Sequence, residues 1–180
     1  MWTLLEQGNR RWAAGRSHRP HQDARRRKQV ATRQAPHAVV LSCIDSRVPP
    51  EVVFDVGLGD LLVVRTAAHT LDALVTAAVQ YGPQDLRASL VVVLGHQRCG
   101  AVTAAARALR RRLTLPGELP HIVAALEPAF ATCDGRVEPM AHAHIQRTVS
   151  RLRADPLLYG SATVIGAYYS LDTGLVSRVT

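Results

Sequence analysis

The chain has no long apolar run. No stretch approaches the roughly 18–20 residues that a helix needs to cross a bilayer, which excludes a membrane-spanning segment. Cysteine is scarce, with three residues in 180, so a disulfide framework is excluded and a reducing cytoplasm is the expected compartment. No secretory signal is expected, since the start lacks its apolar core: Met1-Trp2-Thr3-Leu4-Leu5 gives way at once to Glu6, Gln7 and Arg10. Lysine is nearly absent. Lys28 is the only one among 22 basic residues, which exceed the 14 acidic ones to give a net charge of +8. Aromatics make up 4% and none falls in the basic run Arg25-Arg26-Arg27-Lys28. That run therefore lacks the stacking partners of a single-strand binder. The arginine-rich start is read as a solvated helical arm, and nucleic acid is not an expected partner. No internal repeat or low-complexity segment is found.

What is present is an alternation of β-branched runs with helical spacing. Residues 3–14 and 22–34 read as two polar helices, forming an arm over 1–36 with too little apolar surface to stand alone. Residues 37–180 read as an α/β core, and the whole chain as a single domain. Strands are expected at 37–43, 61–65, 90–94 and 162–168. Helices are expected at 49–54, 72–81, 100–112, 121–131 and 138–154. Gly82-Pro83 is expected to end the helix at 72–81, and 116–120 to form a loop. The turn Asp172-Thr173-Gly174 returns 175–179 as an antiparallel edge strand. The fold class is a mostly parallel sheet, four parallel strands plus that edge, flanked by helices.

Two of these strands end in metal-capable residues: Cys43 after Ala38-Val39-Val40-Leu41, and His96 after Leu90-Val91-Val92-Val93-Leu94, with Cys99 close behind. Open α/β sheets place their sites at the carboxyl ends of strands. Two thiolates and an imidazole are three of the four ligands of a tetrahedral zinc. Cys99 opens a helix, where free N–H groups favour the thiolate. Asp45 can complete the tetrahedron and close the site. Alternatively, Arg47 can hold Asp45 aside with its planar fork and leave the position to water. Two thiolates already neutralise the ion, so its acidifying effect is weaker than at a three-histidine site. A hydroxide that donates its hydrogen bond to Asp45 still aims a lone pair at an electrophilic carbon.

The runs Cys43-Ile44-Asp45-Ser46-Arg47-Val48-Pro49-Pro50-Glu51, Gly57-Leu58-Gly59-Asp60-Leu61, Val63-Val64-Arg65 and Val92-Val93-Leu94-Gly95-His96, the last continuing through Cys99-Gly100-Ala101-Val102, closely resemble the β-class carbonic anhydrases. The resemblance implies Zn2+ on Cys43, His96 and Cys99, with Asp45 and Arg47 as the catalytic pair. The implied reaction is reversible hydration of carbon dioxide to bicarbonate and a proton. It further implies a homodimer or dimer of dimers whose N-terminal helices embrace the neighbouring subunit, with Tyr81 walling the substrate pocket. Three positions depart from the family pattern: Ala68 where glycine is usual, Gln80 for a glutamate, and Val56 for a glutamine. They motivate a second reading, hydrolysis of carbon disulfide or carbonyl sulfide, beside a non-catalytic reading as a zinc-stabilised binding or assembly protein. His69 is read as an ordinary surface or satisfied histidine rather than a proton shuttle. Cys133 is read as a spectator thiol, and His142 and His144, on different sides of one helix, as no second metal site.

Overall fold

A computed structural model describes all of residues 1–180. Its five strands are β1 (Ala38–Cys43), β2 (Leu61–Thr66), β3 (Leu90–His96), β4 (Thr163–Tyr169) and β5 (Val176–Arg178). They form one sheet in the order β2-β1-β3-β4-β5, all parallel except β5, which runs antiparallel to β4. Every residue of β1 and β3 is buried, as central strands covered on both faces require.

The period-two alternation divides these strands between two cores. Val40, Val92, Leu94 and Ile165 face Phe54, Val53 and Leu5. Val39, Leu41, Val91 and Val93 face Val79, Ile145, Val149 and Leu152. The seven helices are α1 (Trp2–Ala13), α2 (Ala24–Gln29), α3 (Pro50–Val53), α4 (Ala73–Leu86), α5 (Gly100–Arg111), α6 (Leu119–Ala131) and α7 (Val137–Arg153).

Three expectations about helix ends are corrected. Helix α4 runs through Gly82-Pro83 to Leu86 instead of stopping there. Pro83 removes one backbone donor, but Gly82 sits so close to β1 that a Cβ there would lie 2.3 Å from Val39 Cγ2. Packing against the sheet outweighs the local breaker. Helix α6 begins at Leu119 and takes Pro120 into its first turn, where a missing N–H costs nothing. Helix α2 covers only residues 24–29: Asp23 caps it, accepting from Arg26 N at 2.7 Å, but no residue of it is buried to extend it.

The arm lies across its own core. Leu5, Gly8 and Asn9 of α1 are buried, and Trp2 and Trp12 pack against the first core. Two buried acids hold the arm. Asp55 takes Arg11 at 2.6 Å and the N–H groups of His18 and Arg19; Asp60 takes His21 at 2.8 Å and Arg26 at 3.1 Å. Part of the arm's basic excess therefore answers specific carboxylates rather than solvent alone.

Asn9, 1% exposed, donates to Val53 O at 3.1 Å and Gly174 O at 2.8 Å and accepts from Val176 N at 2.7 Å. It ties α1 to the chain's final hairpin. Replacing Asn9 by alanine strands three backbone groups in a dry place and is expected to cost on the order of 3 kcal/mol in urea denaturation. A loss below about 1 kcal/mol would show that water takes over these bonds.

Candidate metal centre

Because β1 and β3 are parallel neighbours, with Ser42 level with Leu94, Cys43 and His96 emerge side by side at their carboxyl ends. The chain then turns through Gln97 and Arg98 and brings Cys99 back as the N-cap residue of α5. The ligand atoms of Cys43, His96 and Cys99 all lie within 4.8 Å of one another, and all three residues are buried. The two sulfurs are 3.9 Å apart. That is far beyond a disulfide and matches the roughly 3.8 Å between two thiolates at about 2.3 Å from one tetrahedral ion.

His96 Nδ1 lies 2.9 Å from Gln97 O, so it carries the proton and turns the lone pair of Nε2 toward the sulfurs. Nε2 is buried without a hydrogen-bond partner. A buried orphan acceptor facing two thiols is what a metal would satisfy, and the donor set fits one. The sulfurs themselves share a proton. Contact with Cys99, together with His96 and the Ala68 N–H, outweighs burial and draws Cys43 well below the ordinary thiol value. The same contact and burial push Cys99 up, against the N–H groups of Val102 and Ala101 at the start of α5. Burial alone would lower His96, but the close approach and charge of Cys43 raise it.

Asp45 stands just outside this group. Arg47 grips it with Nε at 2.9 Å and a terminal nitrogen at 2.8 Å, and the Arg47 N–H adds a third bond at 3.0 Å. Asp45 Oδ2 is 3.9 Å from His96 Nε2. The Arg47 pairing holds the carboxyl down at about 2, so it is ionised at neutral pH. Arg47 also donates to the carbonyl of Arg98 at 3.3 Å. Tyr81 lies on α4, 49% exposed and on a different element from every ligand of the same chain.

Several residues of the centre carry no local signal in the sequence. Arg65 donates to Cys43 O at 2.8 Å and to Asp45 O at 2.6 Å, fixing the loop that carries ligand and acid. Arg98 N donates to Glu138 Oε1 at 2.9 Å, and Tyr168 donates to the other oxygen of Glu138. Arg65 falls in the run Val63-Val64-Arg65 that carries the family resemblance, but nothing local tells what it binds; Glu138 lies on α7, and nothing in its surroundings in the chain points to the loop it meets.

The three departures have structural reasons. Ala68 does adopt a left-handed conformation, with φ +52°, and its N–H donates to Cys43 Sγ at 3.3 Å. An alanine there carries a cost of roughly 1 kcal/mol that glycine would not. Gln80 donates to Asp155 at 2.8 Å, where a glutamate would meet a like charge. Val56 packs against the first core.

A sequence model described as carbonic anhydrase matches residues 38–176. The chain belongs to the β-carbonic anhydrase family. Its relatives include carbonic anhydrase 2 of Mycobacterium tuberculosis, 38% identical over 96% of this chain and 88% of that protein. A carbonic anhydrase of Mycolicibacterium smegmatis is 37% identical over 97% and 90%. Among solved structures, a tetrameric β-carbonic anhydrase of Sordaria macrospora superposes with a TM-score of 0.77 at 21% identity, covering 96% of this chain and 93% of that one. An apo carbon disulfide hydrolase superposes at 0.60 and 14% identity, covering 86% and 83%, which is a likeness of fold alone. Membership of the β-carbonic anhydrase family accounts for the parallel sheet and for the Cys–His–Cys group at its carboxyl edge.

Behind the centre, His69 and His144 stack at 4.7 Å between centroids. His69 is 3% exposed, so it is not the surface residue its polarity suggests, and its Nδ1 is unpartnered, as are both nitrogens of His144. Burial, reinforced by the neighbouring His144, drives His69 well down. Burial also brings His144 to about 4, with Arg147 and Arg151 adding to it and the Ala68 backbone opposing it. Both rings therefore fold neutral, and the unfolded chain binds more protons below the ordinary imidazole value. Their stabilising effect is complete above about pH 6.5 and is lost as pH falls toward 4. Urea denaturation at pH 7 and pH 5 should show this loss, and His144→Phe should reduce it. An equal loss in both proteins would contradict the assignment.

Proposed function

We propose that this protein is a zinc enzyme that hydrates carbon dioxide reversibly to bicarbonate and a proton. The observation that carries the reading is the Asp45–Arg47 pair, which leaves the Cys43–His96–Cys99 group without its neighbouring carboxylate. Two thiolates and one imidazole suit zinc, and Cys43, His96 and Cys99 would hold it. Bound there, zinc would supply a Lewis acid that makes water more acidic, less strongly than at a three-histidine site because two thiolates already neutralise it.

The protein groups do the rest. Asp45, ionised and 15% exposed, can only accept, so it takes a hydrogen bond from an incoming water and leaves an oxygen lone pair turned toward the substrate carbon. Arg47 keeps that carboxylate turned, and its second bond, to Arg98 O, fixes the fork against the ligand loop. Arg65 anchors the same loop through its carbonyls. His96 is held in one tautomer by Gln97 O.

Carbon disulfide or carbonyl sulfide is not favoured by the departures that raised it. Ala68 is 1% exposed and Gln80 is bound to Asp155, so neither opens a pocket, while Val56 is half-buried against the first core and lines a shallow cavity beside Gly57 and Leu58. The non-catalytic reading calls for Asp45 on the metal, whereas both its oxygens are engaged by Arg47.

The working form is a homodimer or a pair of dimers. Strand β2 is a sheet edge, half-buried along its whole length, and α4 beside it presents Leu74, 83% exposed, and Tyr81. A second copy covering this face would bring Tyr81 toward the neighbouring centre. No helix is long and apolar enough to cross a membrane, and the cytoplasm, where thiols stay reduced, is the compartment this reading assigns.

Stopped-flow assays on zinc-loaded protein at pH 7 to 9, with carbon dioxide and with each sulfur analogue, test the substrate. Carbon dioxide hydration should exceed the zinc-free control strongly; parity with that control would refute the reading. Asp45→Asn should keep its zinc and lose about a hundredfold or more in kcat/KM. Cys99→Ser should lose zinc and activity together.

A further inference from the structure

The residue that connects the two halves of the centre is Arg98. It lies between His96 and Cys99, in the left-handed region at φ +52°, a conformation that costs a side-chain-bearing residue roughly 1 kcal/mol. Something must hold it there, and its three polar groups are all engaged. Its N–H meets Glu138 Oε1 at 2.9 Å. Its carbonyl receives Arg47 at 3.3 Å. Its guanidinium meets Asp172 at 2.6 and 3.2 Å.

These contacts are unequal. Arg98 and Asp172 are both more than half exposed, at 53% and 57%, and Gln97 also bonds Asp172 across the same surface. Exposed pairs of this kind contribute little after screening and side-chain ordering. Glu138 is half-buried on α7 and its second oxygen is held by Tyr168, whose ring is sandwiched against His142 at 4.1 Å. Its bond to Arg98 is charge-assisted and aimed by packing, and it falls on the backbone itself.

We propose that Glu138 is a positioning residue of the metal centre: it locks the Arg98 peptide so that His96 and Cys99 converge and the Arg98 carbonyl meets Arg47, which in turn holds Asp45 aside. The proposal rests on the reading of Cys43, His96 and Cys99 as the metal ligands. Supporting groups of this kind commonly change metal affinity or activity by about 10- to 100-fold.

The test is zinc affinity by competition with a chromophoric chelator, alongside the rate of zinc release, in wild type, Glu138→Ala, Glu138→Gln and Asp172→Asn. Wild type binding one zinc per chain establishes the ligand reading; failure there defeats that reading and not the clamp. Glu138→Ala should release zinc at least tenfold faster and bind it at least tenfold more weakly. Glu138→Gln, whose amide oxygen can still accept from Arg98 N, should return to within about threefold of wild type. Asp172→Asn should stay within about twofold. Cobalt-substituted protein adds a second readout, since Glu138→Ala should alter the thiolate-to-metal absorption and Glu138→Gln should not. Wild-type affinity in Glu138→Ala overturns the proposal, as does an Asp172→Asn effect larger than that of Glu138→Ala. If Glu138→Ala does not fold, a Glu138→Gln variant that folds yet loses zinc tenfold overturns it equally.

Discussion

The parallel pairing of β1 with β3 is the constraint on which the site depends. Both strands are buried along their whole length and take their register from two cores, one on each face. A slip of one residue would turn Val39, Leu41, Val91 and Val93 onto the wrong face. The same register sets Cys43 beside His96, so the energy that holds the fold also places two of the ligands. The third needs only a short turn and the beginning of α5. The soft donors therefore come from rigid elements, while the groups that tune them come from loops and from α7.

Charge organises the rest of the molecule in a consistent way. Four buried or half-buried acids have a basic or N–H partner: Asp55 with Arg11, Asp60 with His21 and Arg26, Asp45 with Arg47, Glu138 with the Arg98 peptide. The first two seat the arm, and the last two shape the centre. Between them runs the final hairpin, held by Asn9 on one side and by Gln97 and Arg98 on the other. An arm that composition alone makes a solvated appendage is thus joined mechanically to the ligand loop.

Much of this was legible in the chain. The apolar runs before Cys43 and His96 identify buried parallel strands, and the spacing of His96 to Cys99 with Asp45 and Arg47 nearby identifies a metal centre with an adjustable acid. What was not legible depends on contacts between residues far apart. Helix α4 passes Gly82-Pro83 because Val39 is packed under it, a fact no local pattern carries. His69 has the polarity of a surface residue but stacks on His144, which lies on a helix much later in the chain. Glu138 meets Arg98 across the gap between α7 and β3. Ala68 is the instructive intermediate: its departure from glycine foretells a strained turn, but only the structure gives the reason, an N–H aimed at Cys43 Sγ.

The central claim is that two sulfurs and one nitrogen hold zinc while Arg47 keeps Asp45 away, leaving the fourth position to water. X-ray absorption at the zinc edge, on the full-length protein at pH 8, reads that arrangement directly. The account predicts two sulfurs at about 2.3 Å and two nitrogen or oxygen neighbours at about 2.0–2.1 Å, with a spectrum unchanged in Asp45→Asn. A spectrum that changes on that substitution would place the Asp45 carboxylate on the metal and contradict the account.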